Sequence, residues 1–272
     1  MPKIVACIIA RTVSKRLPLK VLRDFHPNIT MLDFLIQRVK SQKVIDEIYL
    51  CTSEENVDDI LEDVALRNNI KIYRGSSDAV IERMLAVGEI EEADILIRIT
   101  GDNPFTAVEL IKEQADFLIK DNLDYVRITN LPIGGTAELF TREALIKCNE
   151  LMDPSVSEYL MLYIFEPNHF KCGVIKAFEK DFSSYSLTVD NPDDLKRTKM
   201  ILDILKFNGK FENISFVKVL EILEDNSIDL PAKIITPSGE VKLPFDKVIP
   251  FAEFKKDMDR RVENSKSLNL YD

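Results

Sequence analysis

The sequence predicts an α/β protein built on a mostly parallel, doubly wound sheet with helices on both faces. Three observations predict it. The chain opens on a continuous apolar run, IVACIIA, with the length and composition of a strand buried on both sides. Strand-like and helix-like segments then alternate through Thr129 at the spacing of βαβ units. The polar segments with chemical potential fall directly after the strand-like ones, where open α/β sheets place their ligands.

Lys3 to Ala10 is the first strand, and a basic loop follows from Arg11 to Leu22. Met31 to Ser41 sets Leu32, Leu35, Ile36 and Val39 on one helical face. Glu47 to Thr52 reads as a strand, Asn56 to Asn68 as a helix, and Lys71 to Arg74 as a third strand. Asp78 to Glu91 is a helix with Asp78 near its start. Asp94 to Thr100 is a buried strand, Val108 to Lys120 a helix, and Asp124 to Thr129 a fifth strand.

After Thr129 the alternation stops. Thr141 to Met152 and Ser155 to Phe165 have helical patterns, whereas Phe170 to Phe178 and Tyr185 to Val189 read as extended. Asn191 to Lys206 is a strong helix: Asn191 caps it, Pro192 suits its first position, and Asp193 and Asp194 suit its positive end. Ser215 to Glu224 is amphipathic. Leu230 to Pro250 is expected to wrap the surface, and the polar stretch from Arg260 is expected to fray. The organisation expected is one domain over residues 1–208 and a helical and extended tail over 209–272. Residues 134–178 form a small dimerisation arm within the domain. The arm is inferred from Tyr159, Leu160, Leu162, Tyr163, Ile164 and Phe165, more apolar surface than a lone excursion buries.

The 272 residues suffice for one large or two small domains. With 46% hydrophobic and 30% charged residues the chain has a globular balance. A net charge of −10 argues against nucleic acid or anionic membrane as partner. No apolar run has the ~20 residues of a membrane span. The start lacks the layout of a signal peptide, so the cytoplasm is the expected compartment. Cys7, Cys51, Cys148 and Cys172 form no C-x-x-C pair, and His26 and His169 lie far apart, so zinc is not expected. The cysteines read as small buried hydrophobes rather than nucleophiles.

Four segments are candidates for chemistry. ARTVSKRLPLK places Arg11, Ser14, Arg16 and Lys20 on the loop after the first strand, a set suited to a polyphosphate. The loop has no G-x-G-x-x-G and no P-loop pattern. TGDNP puts Asp102 at a strand end as a magnesium ligand, though the same residues are strong turn formers. TVDNPDD offers Asp190 as a second ligand, with Asp193 and Asp194 left to helix capping. In RGSSDAVIER, Ser76 and Ser77 suit either a base or ribose contact or a helix cap.

Together these segments resemble the cytidylyltransferase family that includes CMP-Kdo and CMP-sialic acid synthetases. The likeness is greatest to the spore-coat polysaccharide (SpsF-like) branch. The matching stretches are IIARTVSKRLPLKVL, RGSSDAVIER, TGDNP and TVDNPDDL, in the family's order between Met1 and Leu205. The resemblance implies a Rossmann-like nucleotidyltransferase that uses CTP and Mg²⁺ and acts on a small anionic acceptor, as a homodimer. It implies that Arg11, Arg16 and Lys20 hold the triphosphate. Ala10 and Thr100 would border the cytosine near Ser76 and Ser77, and Asp102 and Asp190 would hold the metal. IGGTAELF and SEYLMLYIFEPNHF match looser elements that face the acceptor, which implicates Glu138 and Tyr159 there. Two positions depart from the family: Leu19 replaces a Gly, and Tyr159 replaces a His. Alternative readings are a nucleotidyltransferase using another NTP or a sugar-1-phosphate, a glycosyltransferase of similar fold, and a non-catalytic nucleotide-binding protein. TGDN lacks the D-x-D spacing of such glycosyltransferases. Both aspartates and all three loop cations argue against a non-catalytic role.

Overall fold

A computed structural model describes residues 2–211, 214–235 and 239–271. Its first strand, β1 (Ile4–Ile9), lies in the interior of the main sheet. Ile4, Ala6 and Ile8 point into one core, while Val5 and Cys7 point into the other. That alternation explains why the strand is apolar at every position.

A short hairpin of β2 (Asp24–His26) and β3 (Ile29–Thr30), absent from the sequence reading, leads into α1 (Met31–Lys40). Thr30 and Asp33 close a reciprocal capping box there, the Thr30 hydroxyl accepting from Asp33 N at 3.2 Å. Such a cap contributes roughly 1 kcal/mol. Next come β4 (Glu47–Ser53), α2 (Ile60–Asn68), β5 (Lys71–Gly75), α3 (Val80–Ile90) and β6 (Ile95–Thr100). They are followed by α4 (Ile111–Lys120) and β7 (Tyr125–Thr129). The helices expected from Asn56 and Val108 begin as 3₁₀ turns, Asn56–Asp58 and Val108–Leu110.

Beyond Thr129 the chain departs from the simple alternation. β8 (Glu138–Thr141) inserts antiparallel between β6 and β7. Then come α5 (Arg142–Leu151), a 3₁₀ stretch Pro154–Tyr159, α6 (Leu160–Ile164) and β9 (Cys172–Lys176). α7 (Pro192–Ile204) and α8 (Phe216–Glu224) follow, then the hairpin of β10 (Glu240–Lys242) and β11 (Val248–Pro250). The chain ends with α9 (Phe251–Glu263) and β12 (Lys266–Asn269). The eight-stranded sheet runs β12-β9-β7-β8-β6-β1-β4-β5, parallel throughout except for β8.

Four expectations are corrected. Residues 134–178 do not stand off as an arm. They supply β8 and β9 to the sheet, and Leu160, Ile164 and Phe165 are buried in the chain's own second core. Among the described residues, Tyr185 to Val189 joins no strand of the sheets and makes isolated bridges, Ile133 with Ser186 and Tyr185 with Ile234. The stretch from Arg260 is ordered: Arg260 Nη2 reaches Glu166 at 2.8 Å, and Arg261 Nη1 donates to the carbonyls of Leu162 and Phe165 at 2.7 Å. β12 then pairs with β9 as an edge strand. α3 begins at Val80 and its cap position, Ala79, has no capping side chain, so neither Asp78, Ser76 nor Ser77 caps it. Within Leu230 to Pro250, residues 236–238 lie outside the described residues.

Candidate active site

The carboxyl ends of β1 and β6 meet closely because Gly101 permits it. A Cβ there would fall 2.8 Å from Ala10 Cβ and 3.2 Å from the Ile9 carbonyl. Instead Gly101 N donates to that carbonyl at 2.7 Å, and the chain turns, Asn103 N donating to Thr100 O at 3.0 Å. The turn reading and the site reading of TGDNP are therefore one feature. Asp102 emerges from it, and its carbonyl accepts from Val189 N at 2.9 Å. One backbone bond thus fastens the second acidic segment to the first.

Asp190 is fixed from the other side. Asn191 caps α7 by accepting from Asp193 N and Asp194 N, and Asp194 accepts from the backbone of Asp190 and Asn191. Buried Arg197 anchors Asp194 at 2.9 Å and donates to Thr188 O at 2.6 Å. The capping role assigned to Asp194 thus also sets the backbone of Asp190.

Between the two acids lies Lys20. Its ammonium is 2.7 Å from Asp102 and 2.8 Å from Asp190, and Arg16 reaches Asp190 at 3.1 Å. Burial opposes the charge on Lys20, but the two carboxylates outweigh it and hold its pKa above the ordinary range. The residue before it, Leu19, is left-handed at φ 55°. The loop therefore keeps a glycine-type backbone with leucine in the place of glycine.

A cavity of ≈ 220 Å³ opens beside this cluster, with Ala10, Arg11, Lys20, Thr100 and Asp102 in its wall. Arg11 is exposed and donates to Ser77 O at 3.2 Å. Ser14 Oγ accepts from Leu17 N at 3.4 Å, holding the loop. Ser76 is exposed and Ser77 half-buried; neither lines the cavity or caps α3, and Ser77 meets it only through the Arg11 contact. The structure thus joins Arg16 and Lys20 of the first candidate segment and Asp102 of the second with Asp190 of the third.

The two acceptor candidates lie differently. Glu138 is buried in β8; Tyr125 Oη donates to one of its oxygens at 2.7 Å and Arg98 Nη1 to the other at 2.6 Å. Burial raises its pKa, but Arg98 and Arg127 outweigh that and hold it below the ordinary carboxylate value. Its carboxylate is committed inside the sheet, and Arg98 is the member of that group that lines the cavity. Tyr159 is half-buried in its 3₁₀ stretch, and its neighbour Glu158 borders the cavity. The sequence reading gave no role to two cavity residues, Arg98 and Arg83. A charge inside the apolar strand ILIRIT was the available signal for the first. The cysteines are all buried, and burial pushes the thiols of Cys148 and Cys172 up to about 12, which suits packing rather than attack.

A family model described as cytidylyltransferase matches residues 5–170. An uncharacterized protein of Methanocaldococcus jannaschii is 32% identical over 227 residues, spanning 82% of this chain and 91% of its own length. The spore coat polysaccharide biosynthesis protein SpsF of Bacillus subtilis is 31% identical over 234 residues, 83% of this chain and 96% of its own. A solved cytidylyltransferase from Leptospira borgpetersenii superposes with a TM-score of 0.78 at 27% identity, covering 87% of this chain and 100% of that one. A CMP:2-keto-3-deoxy-manno-octonic acid synthetase complexed with CTP shares the fold, with a TM-score of 0.57 at 16% identity over 74% of this chain and 99% of that one.

Proposed function

The chain belongs to the cytidylyltransferase family, and from that premise we propose that it transfers CMP from CTP to a small anionic acceptor with release of pyrophosphate. The acceptor class is a sugar acid, phosphate or phosphonate. The product would be a precursor of a surface polysaccharide or glycoconjugate, a reading supported by the likeness to SpsF. One observation carries the proposal: Lys20 held between Asp102 and Asp190 at the mouth of a cavity walled by the β1 and β6 strand ends.

The same cluster fits magnesium. Mg²⁺ takes one or two carboxylates and completes its shell with phosphate oxygens and water. Asp102 and Asp190 supply that number, and an ammonium already sits between them as a cation would. Among the described residues no cluster of three or more acidic, His or Cys ligands competes with it. Held there, magnesium would supply charge neutralisation on the triphosphate and polarise the reacting phosphoryl group.

The protein's own residues do the rest. Arg11, Arg16 and Lys20 bind and orient phosphate oxygens, Arg by forked contacts and Lys as a point charge. An acceptor oxygen forms a bond to the α-phosphorus as the bond to the bridging oxygen breaks, and pyrophosphate leaves with that electron pair. An ionised acceptor needs no strong base, and positioning and electrostatics supply the rate. No helix among the described residues is long and apolar enough to cross a membrane, and a cytoplasmic site of action belongs to the proposal.

A homodimer belongs to the same reading. Its support within residues 134–178 is the exposure of Ile146 at 44% and Leu151 at 50%, since Phe165 is buried in its own chain. Light scattering at micromolar protein reads the state, and a monomer removes that part. The activity itself is tested by pyrophosphate release with CTP, UTP, ATP and GTP against a panel of sugar acids, phosphates and phosphonates. Thermal shift with each nucleotide and Mg²⁺ complements it. CTP should give the largest stabilisation. An equal or larger shift with a purine nucleotide sinks the proposal.

A further inference from the structure

A second cavity, of ≈ 310 Å³, opens beside the strand-end cluster. Its walls come from the β7–β8 connection around Ile133 and Gly134, from Phe165 after α6, and from Phe254, Met258 and Val262 of α9. Those three side chains recur every four residues and form one face of that helix. The face is half-buried, and the helix is anchored near its end, where Arg260 and Arg261 bind Glu166 and the carbonyls of Leu162 and Phe165. The family-matched segment stops at residue 170, so α9 lies outside it.

Arg127, on β7, is the ionisable side chain among the described lining residues. Its guanidinium stands 5.2 Å from the centroid of the Phe165 ring, a stacking that sets the direction of its fork. Among the described residues no hydrogen bond or ion pair reaches that guanidinium, and Nε is buried without a partner. Glu138, opposite Arg127 in the sheet, has already given its two oxygens to Arg98 and Tyr125. A cation left without an acceptor in a sheltered cavity is placed to take an anion from a ligand, and a planar fork matches a carboxylate.

The cavity shares its frame with the two aspartates. Leu187 N donates to the Ile133 carbonyl at 2.8 Å, and two residues later Val189 N donates to the Asp102 carbonyl at 2.9 Å. Gly134 packs so closely there that a Cβ would fall 2.7 Å from Asn103 Oδ1 and 3.0 Å from Thr188 N. The chain from Leu187 to Asp190 spans at most about 10 Å. A short ligand anchored in the cavity can therefore present an oxygen beside Asp102 and Asp190.

The walls say what the frame of that ligand is made of. Thr136 Oγ1 accepts from Ile128 N and donates to Ala137 O, and Thr129 Oγ1 donates to Ile175 O, so both hydroxyls are committed. Asn130 and Ser183 are the remaining polar side chains in the wall. A frame with a hydroxyl on each carbon would leave most of them without partners. An apolar frame is covered by the α9 face.

We propose that Arg127 and the apolar face of α9 form an acceptor subsite. It selects an acceptor with an attacking phosphate or phosphonate at one end, a short apolar frame, and a carboxylate at the other. This rests on the cytidylyl-transfer reading above and narrows its acceptor class away from polyhydroxylated sugar acids. The step itself is unchanged: an oxygen of the acceptor's phosphate or phosphonate bonds to the α-phosphorus of CTP, and pyrophosphate leaves with the electron pair of the broken bond.

The test is calorimetric binding of three probes to the full chain. It is run with Mg²⁺ and a CTP analogue whose α–β bridging oxygen is replaced by methylene, which blocks transfer. The probes are phosphonohexanoate, with its two anions at opposite ends; hexylphosphonate, which lacks the carboxylate; and phosphogluconate, whose phosphate and carboxylate also end a six-carbon frame that is hydroxylated throughout. Wild type should hold phosphonohexanoate more tightly than either of the others by about tenfold to a hundredfold. Arg127→Met should bring phosphonohexanoate down to the level of hexylphosphonate and leave the affinity for the CTP analogue unchanged. Arg127→Lys keeps the charge without the fork and should restore only part of the difference. Phe254→Asp, on the half-buried face of α9, sets a carboxylate against the ligand's own and should weaken phosphonohexanoate by about tenfold; it serves if Arg127→Met folds poorly. Loss of the CTP analogue in step with the acceptor probes would make Arg127 a structural or nucleotide contact and overturn the subsite. Wild type that prefers phosphogluconate overturns the apolar frame, and wild type that binds the CTP analogue but none of the probes, or all three equally, overturns the subsite while the family reading stands. Wild type that binds CTP no better than ATP overturns the proposed function, and this inference with it.

Discussion

Two assemblies of carboxylates and cations share the sheet. At the strand ends, Asp102 and Asp190 stand on loops, each side chain 28% exposed, with Lys20 and Arg16 as partners. Within the sheet, Glu138 stands on β8 at 9% exposure, with Arg98, Tyr125 and Arg127 around it. The residue types are nearly the same. The first set is fixed through the backbone of its loops and keeps its side chains partly exposed, as the proposed exchange of the ammonium for a metal and phosphates requires. The second has both carboxylate oxygens taken by groups on neighbouring strands and cannot exchange without opening the sheet. Burial and element type, more than residue identity, separate a site from a structural charge pair.

The strongest way to break that comparison is Asp102→Asn or Asp190→Asn. Each should cut pyrophosphate release about a thousandfold, ~4 kcal/mol in the barrier, with the melting temperature little changed. The double variant should lose little more than either single one, because both serve one charge cluster. Near-normal turnover in either variant would remove that residue from the chemistry.

Glu138→Ala is the mirror experiment. It leaves Arg98 and Tyr125 facing each other in a buried space without their acceptor. The expected loss is about 3 kcal/mol of stability, read as a lowered urea midpoint. If the variant is as stable as wild type but fails to turn over acceptor, Glu138 belongs with the strand-end set after all.

How far each assembly could be read from the sequence follows from the same distinction. The strand-end residues lie in contiguous motifs, so ARTVSKRLPLK and TGDNP announced Lys20 and Asp102 directly. Local periodicity likewise gave β1, α1, β4 and β6, whose apolar patterns match their two-sided burial. The Glu138 group is assembled from β6, β7 and β8, and the antiparallel insertion of β8 is a non-local pairing that no local period encodes. β12 was missed for that reason too: KSLN is polar because it covers an edge, and its order comes from β9. α9 keeps its apolar residues, Phe251, Phe254, Met258 and Val262, only half-buried, so its amphipathic signal is diluted by charge. The resemblance put Glu138 toward the acceptor, while the fold put Arg98 between that glutamate and the cavity.

A third carboxylate sharpens the contrast by pH. Glu91 accepts from Lys3 and Lys71 and from Tyr49 Oη, and those bonds hold it down to about 2 from an ordinary 4.5. Its folded value lies below its unfolded one. The stability it contributes is therefore complete above about 4.5 and is lost as pH falls toward about 2. Glu91→Gln should flatten that part of the melting-temperature profile and leave the neutral-pH turnover intact. An unchanged acid slope would mean that the three donors pair with water as readily as with the carboxylate.

The smallest effect expected lies in the loop that carries the strand-end cations. Leu19 is left-handed at φ 55° and 50% exposed. An L-residue pays roughly 1 kcal/mol for that conformation, and glycine does not. Glycine also gives the unfolded chain more freedom, which offsets part of the gain. The half-exposed leucine side chain contributes some burial that glycine loses. The balance for Leu19→Gly is about 0.5 kcal/mol in favour of the folded state, measured as an increase in urea midpoint. The backbone bonds that hold the turn, Leu19 N to Thr12 O at 3.2 Å and Leu22 N to Leu19 O at 2.9 Å, do not involve the side chain. Lys20 should therefore keep its place between the two aspartates, and CTP affinity should be unchanged. If stability instead falls and CTP binding weakens together, the leucine side chain is itself part of how the loop presents its cations, and the strand-end cluster is less independent of local packing than its exposure implies.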